Sequence, residues 1–245
     1  MRKRCSRTSN STTSQPRKNN FVDFSRSIAL LGEDAFNRLA HMHVAVVGIG
    51  GVGSWCAEAL IRTGLLHLTI MDDDFIAPSN INRQCPALAS TMGQSKVNAL
   101  RDRLLAINPA AEITALSERY TAALPTQTPL DFIVDAIDSV PCKAELILAS
   151  TAADIPIVSS MGAALRFDPT QVEVKRFDKV TGDGLARALR QRFRKLGRFP
   201  AKHFNCVTTR ELPRHLDDPT VKGSLMPVTA TFGMTLAAEV IRSIL

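Results

Sequence analysis

Hydrophobic and polar positions along the chain switch between two periods, and the switches mark out the elements. Continuous apolar runs of strand length occur at "HVAVV" (from His43), Leu66 to Met71, "DFIVDAID" and "IPIVSSMGA". "EITALSE" has the shorter alternation of a strand. Between these runs the apolar spacing becomes helical, at Val52 to Thr63, at "GQSKVNALRDRLLAIN" closed by Pro109, and from about Lys143 to Ala152. Phe21 to Leu39 precedes the first strand, and "LLGEDAFNRL" puts Leu31, Ala35 and Leu39 on one helical side. This alternation predicts an α/β fold, a Rossmann-like, doubly wound and mostly parallel sheet.

After about residue 165 the pattern changes. "LRFDPTQVEVKRFD" predicts paired strands across a "DPT" turn, and "GLARALRQRFRKLGRFPAK" a basic helix that ends near Gly197. "HFNCVTTREL" predicts an edge strand, and the stretch from Arg210 to Gly223, with two prolines, a mobile loop. "GSLMPVTATFGMTLAAEVIRSIL" returns to helical spacing. The chain therefore reads as one main domain, residues 21–245. A β-rich basic extension, at about 165–222, precedes the C-terminal helix.

Charge changes the picture at the N-terminus. Of the net charge of +7, six positive charges fall in residues 1–20, which hold no acid. That tail is otherwise mainly Ser, Thr and Asn, and predicts a disordered basic segment. It lacks the apolar core of a secretory signal. No charge-free apolar stretch is long enough to span a bilayer, so no membrane partner is expected. The five cysteines are widely and irregularly spaced, without a C-x-x-C pair. Free thiols in a reducing, cytoplasmic compartment are the simplest reading.

Candidate chemistry gathers around the first strand. Gly48, Gly50 and Gly53 fit G-x-G-x-x-G between a strand and a helix. Gly48 permits the tight turn, Gly50 the approach of phosphate, and Gly53 close helix–strand packing. Asp72, at the end of the second strand, suits ribose hydroxyls. Asp74 stands beside it, and a solvated turn acid is the bland alternative. Glycines and acid together do not separate NAD from ATP, and there is no GxxxxGK[ST] loop. The separation comes from Asn80, Asn82, Arg83 and Gln84 in the next loop, Lys96 on the next helix, and Asp138 past a buried strand. Arg and Lys neutralise phosphate oxygens, and a carboxylate holds magnesium. Singly, Arg83 reads as a surface cation, Lys96 as a solvated helix lysine and Asp138 as a helix cap. Together, in this order around one glycine turn, they favour ATP over a nicotinamide cofactor.

With "GIGGVGSW", "NRQ", "DAIDS" and "GSLMPVTATFG", residues 25 to 245 resemble the adenylating enzymes related to ubiquitin activators and bacterial sulfur-carrier activators. The resemblance is greatest to the tRNA threonylcarbamoyladenosine dehydratase branch. It implies an ATP-dependent cyclisation of N6-threonylcarbamoyladenosine in tRNA through adenylation of the threonyl carboxylate. It also implies nucleotide contacts at Gly48, Gly50, Gly51, Gly53, Asp72, Asn80 and Gln84, with Arg83 and Lys96 on the phosphates. Asp138 is the implied Mg2+ ligand. A homodimer is implied too, with an N-terminal arginine reaching the partner's phosphates. Arg26 is the candidate, although Asp23 stands nearer the expected position. Some relatives hold a monovalent alkali cation near the site.

Because the activated group sits on tRNA, the basic stretch Arg187, Arg190, Arg194, Lys195 and Arg198 is the candidate nucleic-acid surface. A solvated charge run is the bland alternative. The runner-up activity is activation of a small ubiquitin-like sulfur-carrier protein, with sulfur-transfer partners. Such activators usually carry zinc C-x-x-C pairs, absent here. Cys206 reads as a packed thiol before a persulfide carrier. An oxidoreductase and a nucleotide-sensing scaffold are the readings outside this class.

Overall fold

A computed structural model describes residues 22–121, 123–124, 126, 128–215, 218 and 223–245. The basic tail, residues 1–20, lies outside the described residues, as does part of the loop predicted between Arg210 and Gly223.

Seven strands form one sheet in the order β3-β2-β1-β4-β5-β7-β6. They are β1 (His43–Val47), β2 (His67–Met71), β3 (Glu112–Leu116), β4 (Phe132–Asp135), β5 (Ile157–Ser160), β6 (Val172–Arg176) and β7 (Asn205–Thr209). All neighbours pair in parallel except β6 and β7. β4 and β5 are buried along their whole length, which explains their unbroken apolar runs. Helices α3 (Gly53–Thr63), α4 (Lys96–Ile107) and α7 (Met226–Arg242) belong to one core layer. Helices α5 (Val140–Ala152) and α6 (Gly184–Leu196) belong to a second. The predicted doubly wound sheet is present.

The N-terminal adaptor is two helices, α1 (Ser25–Leu31) and α2 (Glu33–His41). Gly32 separates them at φ +81°, and Ala35 and Leu39 are buried as their spacing predicts. Helix α7 lies directly on α3 because Gly233 has no side chain: a Cβ there would stand 2.5 Å from the Val52 carbonyl oxygen.

Two expectations are corrected. No strand precedes the "DPT" turn. The Leu165 N–H is taken by Gly223 O, and the Phe167 and Asp168 N–H groups by the Glu211 carboxylate, so no ladder can form there. Asp168 caps a short 3-10 turn that leads into β6. Second, "HFNCVTTREL" does not form an edge strand. β7 runs inside the sheet between β5 and β6, with Cys206 and Val207 fully buried. β6 takes the edge, so the basic extension completes the main sheet.

A fully buried ion pair stiffens the end of β4. Lys143 Nζ lies 2.9 Å from Asp135 Oδ2, and neither side chain is exposed. Lys143 also donates to Ile137 O at 2.9 Å, while Ser159 Oγ donates to Asp135 at 2.6 Å. Removing one partner strands the other charge in the core. Lys143→Met is therefore expected to lower the unfolding free energy by about 3–5 kcal/mol, measured by urea denaturation. Asp135→Leu combined with Lys143→Met should recover part of that loss. A double variant no more stable than the single one would show that the pairing is not what matters.

Candidate active site

Strand order reverses between β1 and β4, and a cavity of about 670 Å3 opens at the carboxyl ends of the strands there. Every residue of the predicted nucleotide set except Gly53 lines it: Gly48, Gly50, Gly51, Asp72, Asp74, Asn80, Arg83, Gln84, Lys96 and Asp138. Gly53 lies beneath, and its role is steric. A Cβ on Gly53 would stand 1.9 Å from Gly48 O, and one on Gly48, at φ +92°, would stand 2.6 Å from Ala136 O. Gly50 differs: its Cβ position is open space on the cavity wall. Gly51 seats an arginine, since a Cβ there would come 3.0 Å from Arg83 Cγ.

Asp72 ties the turn to β2. Its Oδ2 accepts the Ile49 N–H at 2.6 Å and its Oδ1 the Asp74 N–H at 2.9 Å. Burial pushes its carboxyl above the ordinary range, against the pull of Lys96 and these two N–H groups. Lys96 opens α4 with its side chain buried, not solvated. Its Nζ is 2.6 Å from Asp74 Oδ2 and 3.8 Å from Asp72 Oδ1. The carboxylates of Asp72, Asp73 and Asp74 lie together, but each already has a partner, Asp73 through Arg119. Crowding of these acids therefore does not require a metal ion.

Helix α3 holds the loop that carries Arg83. Trp55 Nε1 donates to Arg83 O at 2.9 Å, and the Cys85 N–H donates to Ser54 Oγ at 3.1 Å. Asn82 Nδ2 donates to Ser224 O at 2.9 Å, tying the loop to the approach of α7. Asn80 Oδ1 accepts the Ala77 N–H and so shapes the short turn before Arg83. Gln84 is buried, and its Oε1 has no hydrogen-bond partner. An acceptor without a partner among the described residues, on a side chain that lines the same cavity as Gly50, Arg83 and Lys96, fits a site built for a polar ligand. Trp55 stands inside the quoted glycine motif, yet nothing in its residue type announces the bond to Arg83.

On the other side of β1, Asp138 follows β4 and is exposed. Ser139, not Asp138, is the first residue flanking α5, so Asp138 is not its cap. Among the described residues its carboxylate has no hydrogen bond or ion pair, which leaves both oxygens for a cation. Arg166, which the sequence did not single out, also lines the cavity.

The basic residues of α6 divide. Arg187, Arg194 and Lys195 are exposed. Arg190 is not part of the free face. It borders the buried stripe of Ala186, Leu189 and Phe193, lies over the Phe177 ring, and donates to Phe177 O and Val180 O, both at 2.7 Å. Arg198 pairs with Glu145 at 3.1 Å. Arg26 is exposed on α1 and does not line the cavity of its own chain. Asp23 Oδ1 accepts the Ser25 N–H at 2.8 Å. Cys206 is fully buried, and burial pushes its thiol far up, as a packed thiol requires.

The ThiF family profile matches residues 24–245. The chain belongs to the ThiF family. It is 40% identical over 177 residues to a Bacillus subtilis tRNA threonylcarbamoyladenosine dehydratase, covering 71% of this chain and 70% of the relative. It is also similar to the Escherichia coli tRNA N6-threonylcarbamoyladenosine dehydratase solved with ATP, with a TM-score of 0.83 and 35% identity over 90% of this chain and 93% of that one. An Escherichia coli molybdopterin-synthase adenylyltransferase is 35% identical over only 59% of each chain. Within the family, the match therefore falls in the dehydratase branch. No helix among the described residues is long and apolar enough to cross a membrane.

The glycine geometry separates two kinds of damage. Gly53→Ala is expected to prevent stable folding, because its Cβ would overlap a carbonyl oxygen. Gly50→Ala should melt within about 2 °C of wild type, since nothing occupies its Cβ position, yet bind ATP at least about tenfold more weakly. Differential scanning fluorimetry with calorimetric titration checks both. Normal ATP binding by Gly50→Ala would remove this turn from the phosphate site.

Proposed function

We propose that the protein uses ATP to cyclise N6-threonylcarbamoyladenosine in tRNA with net loss of water. One observation carries the reading. The glycine turn, Arg83, Lys96 and Asp138 converge on one cavity in a chain that resembles an ATP-bound dehydratase over nine-tenths of its length.

A threonyl carboxylate oxygen attacks the α-phosphorus, the bond to the bridging oxygen breaks, and diphosphate leaves. The carbamoyl nitrogen then attacks the activated carbonyl and loses its proton, and AMP leaves with the former carboxylate oxygen. Asp72 and Asp74 face the ribose end, and the backbone from Gly50 to Val52 faces the phosphates at the start of α3. Arg83 meets charge that builds on the α-phosphate oxygens, and Lys96, Asn80 and Gln84 hold the phosphate chain in line. Asp138, exposed on the cavity wall with no hydrogen bond or ion pair among the described residues, would hold Mg2+, which would supply positive charge to the leaving diphosphate. A homodimer belongs to this reading, with Arg26 reaching the partner's cavity. Its support is that Arg26 is exposed and Leu30, on the same helix, is 87% exposed. The buried thiols support a reducing, cytoplasmic setting.

Activation of a sulfur-carrier protein is less well supported, because the adenylyltransferase match stops at little over half of the chain and Cys206 is sealed from solvent. Mass spectrometry of tRNA nucleosides after incubation with protein, ATP and magnesium tests the main reading. No cyclised nucleoside from a threonylcarbamoyladenosine-bearing tRNA would end it.

Arg83→Ala and Asp138→Ala should each slow AMP formation by about 100-fold or more while leaving the melting temperature nearly unchanged. In this reading Arg83 meets the α-phosphate and Asp138 acts through the cation it would hold, and neither side chain is buried in the core. Near-wild-type turnover in both variants would contradict the mechanism.

The exposed α6 residues carry the tRNA surface in this reading. Reversing Arg187, Arg194 and Lys195 to glutamate should weaken tRNA binding without changing ATP affinity. The slope of log affinity against log salt should become shallower by about 2–3, as three phosphate contacts release their counterions no longer. Filter binding across a salt series measures it, and an unchanged slope would move the contact off α6.

A further inference from the structure

Among the described residues, Arg166 has no anion within ion-pair distance. It is only 5% exposed, on the loop that follows β5, and its Nε is buried with no hydrogen-bond partner. Its described bond is a long one, from Nη1 to Ala164 O at 3.5 Å. Two acids act on it through their fields, Asp183 and Glu211, but both are committed elsewhere. Asp183 accepts the Gly162 N–H at 3.0 Å and the Ala186 N–H at 2.9 Å. Glu211 accepts the Phe167 and Asp168 N–H groups, each at 2.8 Å. Among the described residues neither comes within ion-pair distance of Arg166. A buried guanidinium left in this way is costly unless a ligand completes it.

The backbone is built to turn this side chain inward. Leu165, the residue before it, sits at φ +62°, a left-handed conformation unfavourable for a side chain of its kind. The turn is held by Leu165 N–H to Gly223 O and Arg214 N–H to Leu165 O, both at 2.9 Å. Arg166 consequently lines the same cavity as the glycine turn.

Strand order decides which anion it meets. Asp72 ends β2, the glycine turn follows β1, Asp138 follows β4, and Arg166 stands beyond β5. Three strand spacings, roughly 14 Å, separate the ribose end from the end of β5. In the adenylation reading the ribose and the α-phosphate lie on the β2–β1 side, with Arg83 and Lys96 as their cations, and the leaving diphosphate lies toward Asp138. The part of the cavity beyond β5, which Arg166 lines, is then left for the acid to be activated.

We propose that Arg166 forms the carboxylate subsite, pairing with the threonyl carboxylate of the modified nucleotide and aligning one oxygen on the α-phosphorus. This rests on the adenylation reading above. When the carbamoyl nitrogen attacks, the same guanidinium faces the carbonyl oxygen as charge builds on it.

The test uses two probes, the free nucleoside N6-threonylcarbamoyladenosine and its threonyl carboxamide. Both are titrated by calorimetry into the full-length protein held with a non-hydrolysable ATP analogue. Wild type should prefer the acid at least about tenfold, a preference that Arg166→Met abolishes and Arg166→Lys partly restores. ATP affinity should stay within about twofold in both variants, and the melting temperature of Arg166→Met should not fall. Equal binding of acid and amide by wild type would overturn the proposal. So would a loss of ATP affinity in Arg166→Met, which would assign the guanidinium to a phosphate. A drop in melting temperature with the acid preference intact would make Arg166 structural. None of these outcomes depends on turnover, so a failure to form AMP would count against the adenylation reading alone.

Discussion

The bond from the Ile49 N–H to Asp72, 2.6 Å long, is the constraint on which the site depends. It can form only if the chain leaves β1 through a left-handed residue, and Gly48 supplies φ +92°. No other residue fits, because the Cβ would meet the carbonyl of Ala136 at the end of β4. The Gly48 N–H donates to Met71 O at 2.8 Å, so the turn is pinned to β2 at two points. Three neighbouring strands therefore fix one residue. With the turn set, α3 must start at Gly53, packed against Gly48 itself, and Gly50, Gly51 and Val52 just before it line the cavity.

Helix α3 then serves as a template for the loop that carries Arg83. Glu58, almost fully buried, draws the loop down by accepting from Cys85 Sγ at 2.7 Å. Burial alone would raise the Glu58 carboxyl, but bonds from Arg103, Cys85 and Arg62 outweigh it and hold it at about 2. The Cys85 thiol is pushed up to about 12 by burial and by that carboxylate. At neutral pH the acid is thus charged and the thiol keeps its proton, so the S–H donor persists. Arg83 reaches the cavity from a loop fastened at Trp55, Ser54 and Glu58 before any ligand arrives. Such preorganisation is what electrostatic catalysis needs.

The parallel part of the sheet was legible in the sequence because strands buried on both faces leave unbroken apolar runs, and the helices between them keep a helical period. The β2–β1 wall of the cavity was legible for a different reason. Its glycines, acids and amides sit in short segments directly after strands, where chain order and spatial order coincide. Beyond β5 that coincidence fails. β7 holds Thr208 and Thr209 as well as apolar residues, all buried, so its polarity suggested an edge it does not occupy. Arg190 looked like a surface cation because helical spacing reports direction, whereas its guanidinium folds back over Phe177. Arg166 and Lys143 carry the least local signal. What distinguishes them is that Arg166 meets no anion at ion-pair distance among the described residues and that Lys143 has a partner eight residues back, and only the folded chain reveals either.

The two cations nearest the glycine turn differ in what their charge can do. Lys96 is already paired with Asp74, and Asp72 stands close behind. A phosphate approaching Lys96 meets two carboxylates as well, and the net attraction is small. Lys96 therefore positions more than it attracts. Arg83 is held by neutral partners, its Nη1 donating to Ser79 O at 2.7 Å and to Asn82 Oδ1 at 2.9 Å. Those bonds fix the guanidinium without cancelling its charge. A fixed, uncompensated cation at the wall of a partly closed cavity gains most when negative charge appears beside it. The arginine rather than the lysine is thus the cation whose charge the resting site leaves free to meet an anion in the cavity.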